Sequence, residues 1–471
     1  MQVNQDQISV IVERVLARLN TTPRGDGGRS AFPSSGGGRG VFPDIDSAAA
    51  AAKKAQASLI ALPVKKRIEI VENIRRKLRD NVRALAEHAV AETGLGRVED
   101  KIQKNLLVID KSPGPEILEP KAWSGDDGLT LVERAPYGVI GSITPSTNPT
   151  ETIINNGIGM ISGGNTIVFN SHPGAKAVSI RCIELINEAI IEAGGPENCF
   201  ATVAEPTLQS AQHLMKARDI RLLVVTGGPA VVKAAMTSGK KVIAGGPGNP
   251  PVVVDETADI VAAGRGIVAG ASLDNNIICT DEKEAFVVHT VADALIEAMK
   301  DAGAYLLSPH QVRRLERLVI KDGHPNKEWV GKDARKILEA IDVRVQGDPR
   351  LAICEVEAGH PFVQIEMLMP VFPIVRVKNV DEGIALALEA EHGYGHTASM
   401  WSRNIESLHK MASLVNTSIF VKNGPNFAGL GLGGEGHTSF TIASPTGDGL
   451  TCALTFTRER RCTMKGYFRI I

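Results

Sequence analysis

From Phe42 onward, short apolar runs alternate with longer segments of helical periodicity, and no other feature narrows the fold as much. Residues 48–92 read as long helices. Residues 138–144, 166–170, 221–225, 252–254, 285–288, 374–377 and 418–421 read as strands. Between them, residues 153–161, 175–193, 229–236, 258–268, 291–302 and 381–391 carry helical spacing. Strands apolar along their whole length belong to sheets covered on both faces, so the pattern predicts an α/β fold built on parallel sheets. Two segments stand apart. Residues 129–134 form a short alternating strand, and the strand-like tail 451–471 is basic enough to read as a solvated edge. No fixed-period repeat is visible.

The first twenty residues are a separate unit. Ile8, Ile11, Val12, Val15, Leu16 and Leu19 fall at helical spacing on one stripe. Residues 21–40 are rich in Gly, Ser and Pro, the composition of a flexible linker. A short amphipathic helix on such a tether is expected to dock on a partner. The chain has 471 residues, enough for two to four domains at roughly 100–200 residues each. Its 52 basic and 53 acidic side chains leave a net charge of −1, which argues against a nucleic-acid footprint. Six cysteines at irregular spacing, with no C-x-x-C pair, suit a reduced cytoplasmic chain. Residues 152–175 lack charge but are too rich in Gly and Asn to span a membrane. Residues 1–20 are too charged for a secretory signal.

Several residues are candidates for chemistry. Gly431-x-Gly433-x-x-Gly436 matches a dinucleotide fingerprint, but no clear strand precedes it and no helix follows, so it reads as a Gly-rich loop. Residues 221–225, then Thr226-Gly227-Gly228, then a helix opening at Pro229, give the strand–turn–helix order of an anion site. An ordinary βα turn has the same order. Cys279 follows a Ser/Asp/Asn-rich turn and is a candidate nucleophile, although a buried core thiol is the commoner fate. Asn148 lies one residue before Pro149 and three after Pro145, where a rigid amide makes a good oxyanion donor or simply a turn. His392 and His396 have metal-like spacing without companion ligands, so no metal site is expected.

Together these segments resemble the aldehyde dehydrogenase superfamily, from about Phe42 to the end. The nearer likeness is to the CoA-acylating propionaldehyde and acetaldehyde dehydrogenases of bacterial microcompartments. The resemblance rests on TPSTNP (144–149), GNTIVF (164–169), VTGG (225–228), GNPPVVVDE (248–256), SLDNNIIC (272–279) and GLGLGGEG (429–436). Each is weak alone, and six in family order are strong.

The resemblance implies two Rossmann-like parallel-sheet domains and a β oligomerisation arm. The implied division is an encapsulation-type helix at 1–20 and a linker at 21–41. A dinucleotide-binding domain follows at 42–126 and 139–250, then a catalytic domain at 251–440 and an arm at 127–138 and 441–471. It makes Cys279 the nucleophile and pairs Asn148 with the Cys279 N–H as the oxyanion hole. It places Thr144, Pro145, Thr226, Gly227 and Gly228 against the cofactor, with Asn170, Ser171 and His172 on its adenosine side and Glu366 at the nicotinamide ribose. The implied cofactor is NAD and the co-substrate coenzyme A, with a short-chain aldehyde oxidised to acyl-CoA. The implied partners are a shell protein bound through residues 1–20 and further copies in a homodimer or homotetramer. The implied setting is a microcompartment lumen in the cytoplasm. One departure matters. Hydrolytic relatives carry a Glu where this chain has Ala244-Gly245-Gly246-Pro247, and without that base the acyl-enzyme waits for a thiol. The competing readings are a hydrolytic dehydrogenase releasing a free acid, and a silent shell-bound scaffold.

Overall fold

The structure, a computed structural model, describes residues 40–471. The expected helix 1–20 and all of the linker except Gly40 and Val41 lie outside the described residues. Within them, two all-parallel sheets dominate. The first has six strands in the order Val41–Phe42, Phe200–Val203, Thr166–Ser171, Val139–Thr144, Ile220–Thr226, Lys241–Gly245. The second has seven, in the order Ala304–Leu306, Leu351–Glu355, Val371–Val377, Glu284–Val288, Pro251–Val254, Thr397–Trp401, Ile419–Lys422. The α/β reading of the sequence therefore holds, with parallel sheets as expected.

Each sheet is covered on both faces because its strands are apolar on both. In the first, Ile140, Ile167 and Phe169 face a core shared with Ile74, Ile154 and Ile186. On the other side Val168, Leu223 and Val225 meet Ala48, Leu214 and Ala235. In the second sheet, Val252, Ala285 and Val287 pack on Ala263, Ile267 and Leu295. Val253, Phe286 and Val375 pack on Ile384, Ala387 and Met411. At about 1.5–3 kcal/mol for each large side chain fully buried, these four faces hold the two layers. The helix Pro149–Ser162 is buried along its entire length.

A third sheet is antiparallel and largely exposed. Lys121–Gly125 pairs with Gly128–Pro136, which pairs with Thr457–Lys465. The sequence reading of this region lacked the strand Lys121–Gly125. Residues of the expected arm between 441 and 456 lie elsewhere: Ile442, Ala443, Leu450 and Phe456 join the core of the first sheet. No helix among the described residues is long and apolar enough to cross a membrane.

Strand order places the ligand crevice. In the first sheet the chain moves outward on one side of Val139–Thr144 and then returns to add Ile220–Thr226 on the other. Ligands of open α/β sheets bind at such a reversal, beyond the strands' carboxyl ends. Thr144 and Thr226 end those two strands, beside the registered pair Ile143 and Val225. The chain crosses from the first sheet to the second through residues 246–250. Asn249 pins that crossing by donating from Nδ2 to the carbonyls of Val363 and Ala390, both at 2.9 Å.

Candidate active site

The loop before Cys279 is conformationally costly and heavily tied. After the helix Ile260–Ala271, Asp274, Asn275 and Asn276 take φ of 48°, 58° and 63° in succession. Only Gly, Asn and Asp visit this region readily, so the run of Asp and Asn there is what permits the turn. Its cost, of order 1–3 kcal/mol per residue, must be offset by contacts. Asn275 Nδ2 donates to the Gly331 carbonyl (2.9 Å), and Asn276 Nδ2 to those of Ala271 (2.8 Å) and Glu282 (2.9 Å). Lys283 Nζ donates to Asn276 O, Asn276 Oδ1 and Ile278 O at 2.9, 2.7 and 3.1 Å. The carboxylate of Asp274 accepts from the Arg97 N–H (2.8 Å) and lies 2.9 Å from Lys101 Nζ and 2.5 Å from Lys104 Nζ. Burial opposes its charge, but the two ammonium groups prevail and hold it below the ordinary carboxylate value.

Cys279 is half-buried at the end of this loop, against the core of the first sheet. Cys182, Cys199 and Cys354 are buried, and Cys462 is exposed on the strand Thr457–Lys465. Burial, then the charge of Glu366, pushes the Cys279 thiol up to about 12, with Lys283 pulling the other way. The sulfur at rest is a thiol. Glu366 is itself raised to about 7 by burial, against Lys283 and the Gly248 N–H. A Cβ on Gly248 would fall 2.8 Å from the Cys279 carbonyl oxygen and 2.9 Å from His396 Cγ, so only glycine lets these segments meet at the crossing.

His396 is one of the two histidines at metal-like spacing. It is fully buried, with Nδ1 2.9 Å from Thr397 Oγ1 and Nε2 without a partner. Burial, with Lys283 next, lowers it to about 3, so the ring is neutral. His392 Nε2 lies 3.0 Å from the Gln364 carbonyl oxygen. Asn148 ends the loop after Val139–Thr144 and begins the helix Pro149–Ser162 without capping it. Its Oδ1 accepts from Lys104 Nζ (2.5 Å), and its Nδ2 reaches Thr147 Oγ1 at 3.3 Å.

The expected cofactor residues gather at the first sheet's crevice, except Glu366, which lies with Cys279. The hydroxyls of Thr144 and Ser171, at the ends of adjacent strands, are buried without partners. Gly227 and Gly228 precede the helix Pro229–Met236, and a side chain on Gly228 would meet open space. These orphaned hydroxyls and the bare turn fit a dinucleotide, whose phosphates a helix N-terminus favours. Pro145 continues from Thr144. Asn170 is turned inward, with Oδ1 accepting from Ser210 Oγ (2.5 Å). The exposed His172 accepts the Gly174 N–H at Nδ1 (3.0 Å). Thr226 Oγ1 lies 2.7 Å from Thr441 Oγ1. The Gly431–Gly436 stretch follows a short 3₁₀ turn, Asn426–Leu430, with no helix after it, as expected.

The chain matches the sequence profile described as the aldehyde dehydrogenase family over residues 40–310 and 351–447. It is 49% identical over 476 residues to an acetaldehyde dehydrogenase (acetylating), EutE, of Salmonella typhimurium, covering 100% of both chains. It is similar to the solved structure of a propionaldehyde dehydrogenase from the Clostridium phytofermentans fucose utilisation bacterial microcompartment. The identity is 46% and the TM-score 0.91, covering 92% of this chain and 100% of that one. A Rhodopseudomonas palustris propionaldehyde dehydrogenase, solved with bound CoA and an acylated cysteine, is 47% identical with a TM-score of 0.89. That match covers 91% of this chain and 98% of the other.

Proposed function

The chain belongs to the aldehyde dehydrogenase family, and on that premise we infer that it oxidises a short-chain aldehyde with NAD and CoA, giving acyl-CoA through a thioester on Cys279. The Cys279 sulfur, its proton given up to solvent, adds to the aldehyde carbon. The oxygen made anionic in that step is received by the Asn148 amide and the Cys279 N–H. Bound NAD supplies the acceptor for the hydride lost as the adduct becomes a thioester. Glu366 is assigned to the nicotinamide ribose, and the Thr226–Gly228 turn to the pyrophosphate. The CoA thiol then attacks the thioester carbon, Cys279 leaves as thiolate, and the acyl group departs on CoA. The thiol's proton needs an acceptor. Bulk water receives it, since a thiol already ionises near neutral pH and His396, held at about 3 by burial, is too weak a base to take it.

The observation that carries this reading is a half-buried cysteine on a tightly tied loop, with no carboxylate along residues 244–247. Water lacks its usual base, whereas a thiol ionises far more readily. The test is NADH absorbance with propionaldehyde, with and without CoA. The expected result is a burst of about one NADH per site without CoA and steady turnover with it. Full turnover without CoA would favour the hydrolytic reading, for which Glu366, acting on Cys279, is the available carboxyl.

We propose finer features on the same family likeness. We assign residues 42–126 and 139–250 to the cofactor half and 251–440 to the nucleophile half. The antiparallel sheet is assigned to an oligomerisation arm. Residues 1–20 are assigned to docking on a microcompartment shell. Fused to a fluorescent protein, that segment should move it into shells, and diffuse fluorescence beside intact shells would refute the assignment.

A further inference from the structure

Lys104 lies in the helix Val98–Lys111 with 1% of its surface exposed, and the proposed mechanism gives it no role. A buried ammonium needs partners, and this one has three, one hydrogen-bond acceptor and two carboxylates within ion-pair distance. They are Asn148 Oδ1 and Asp274 Oδ2, both at 2.5 Å, and Glu151 Oε1 at 3.2 Å. Each partner stands on a different part of the site. Asn148 is the assigned oxyanion donor, Asp274 opens the left-handed run that leads to Cys279, and Glu151 is in the first turn of the helix that Asn148 begins.

The chemistry of the ammonium fixes an otherwise ambiguous amide. It can only donate, so the Asn148 atom facing it is the oxygen. The nitrogen is therefore turned to the opposite side. There its one hydrogen bond among the described residues is long, 3.3 Å to Thr147 Oγ1, which leaves donor capacity for a substrate oxygen. With its own amide reversed, Asn148 would offer an oxyanion an oxygen.

We propose that Lys104 is a positioning residue that sets the Asn148 amide with its nitrogen toward the reacting oxygen and ties it to the loop carrying Cys279. This inference rests on Asn148 being the oxyanion donor. Lys101 is the neighbouring tie, bonding Asp274 Oδ2 (2.9 Å) and the Thr147 carbonyl (3.2 Å) but not the Asn148 side chain.

The test keeps the buried charges balanced by working in a Glu151→Gln background, where loss of Lys104 leaves Lys101 against Asp274. The readout is the burst rate of NADH formation with aldehyde and no CoA. Lys104→Met in that background should lower the burst rate about 10²-fold, the scale of losing an oxyanion donor, with NAD affinity unchanged. Lys104→Gln, neutral but still a donor, should stay within about tenfold of the background. In chains already carrying Asn148→Ala, Lys104→Met should add less than about twofold, because the residue it acts through is gone. Equal losses for Met and Gln, or a Met loss that multiplies with Asn148→Ala, would overturn the proposal. If the Met variant does not fold, an atomic-resolution structure of the unaltered enzyme decides: Asn148 oxygen at Lys104 supports the proposal, and nitrogen there overturns it. An unaltered enzyme that forms no NADH from aldehyde would instead sink the reaction itself.

Discussion

Glu282 is three residues past the candidate nucleophile and fully buried. Its Oε1 accepts the Asn426 N–H (2.8 Å), while Oε2 has no partner and crowds the bare face of Gly270. Burial pushes the carboxyl from its ordinary 4.5 up to about 8, against the pull of the Asn426 N–H. The folded chain thus holds a proton that the unfolded chain releases at lower pH. Its contribution to stability is whole below about pH 4.5 and is lost as pH rises through about 8. Glu282→Gln should flatten the fall of Tm over that interval. A variant whose Tm falls as steeply as the parent's would contradict this. Cys279 and Asn148 were legible in sequence because short motifs carry them. Lys104, Lys283 and His396 were not. Lys104 meets Asn148 44 positions away, and His396 meets the Cys279 segment only across Gly248. The helix of Lys104 escaped detection because its buried face carries Lys101, Lys104 and Asn105, which an apolar-stripe rule assigns to solvent.

At the scale of elements, the long apolar strands and helices were readable to within a few residues. Residues 221–225 proved to be Ile220–Thr226, and residues 229–236 matched Pro229–Met236. Several missed strands were short or mixed, although Leu351–Glu355 is apolar and as long as Glu284–Val288. Thr397–Trp401 interleaves Thr and Ser with apolar residues, and Lys241–Gly245 begins charged. Lys121–Gly125 is almost wholly exposed, so burial left no apolar signature in its sequence. Its sheet is explained by pairing alone. Thr457–Lys465 runs against Gly128–Pro136 over nine registered positions, beside exposed Trp123, Tyr467 and Phe468. Such a ribbon is marginal in water without a further surface to cover it. The full chain should therefore elute in gel filtration well above its 50.1 kDa mass, and a chain ending at residue 456 should not. Elution of the full chain as a 50 kDa species would refute the arm assignment.

Across the whole molecule, the assigned site residues lie where the two sheets meet. The first supplies the crevice between Thr144 and Thr226, the second the loop ending in Cys279, and the crossing at Gly248 sets them together. The resemblance implies such a division, but the crossing is held by contacts from Gly248 and Asn249 to residues 363–396, which periodicity does not record. On the proposed reading, the Cys279 sulfur, with no carboxylate along residues 244–247 to activate water, becomes a carrier for the acyl group. The most direct measurement is the mass of the protein after propionaldehyde and NAD are added without CoA. One propionyl group on Cys279, removed as propionyl-CoA when CoA follows, is the expected result. An unmodified Cys279, or an adduct that water clears as fast as CoA does, would contradict it.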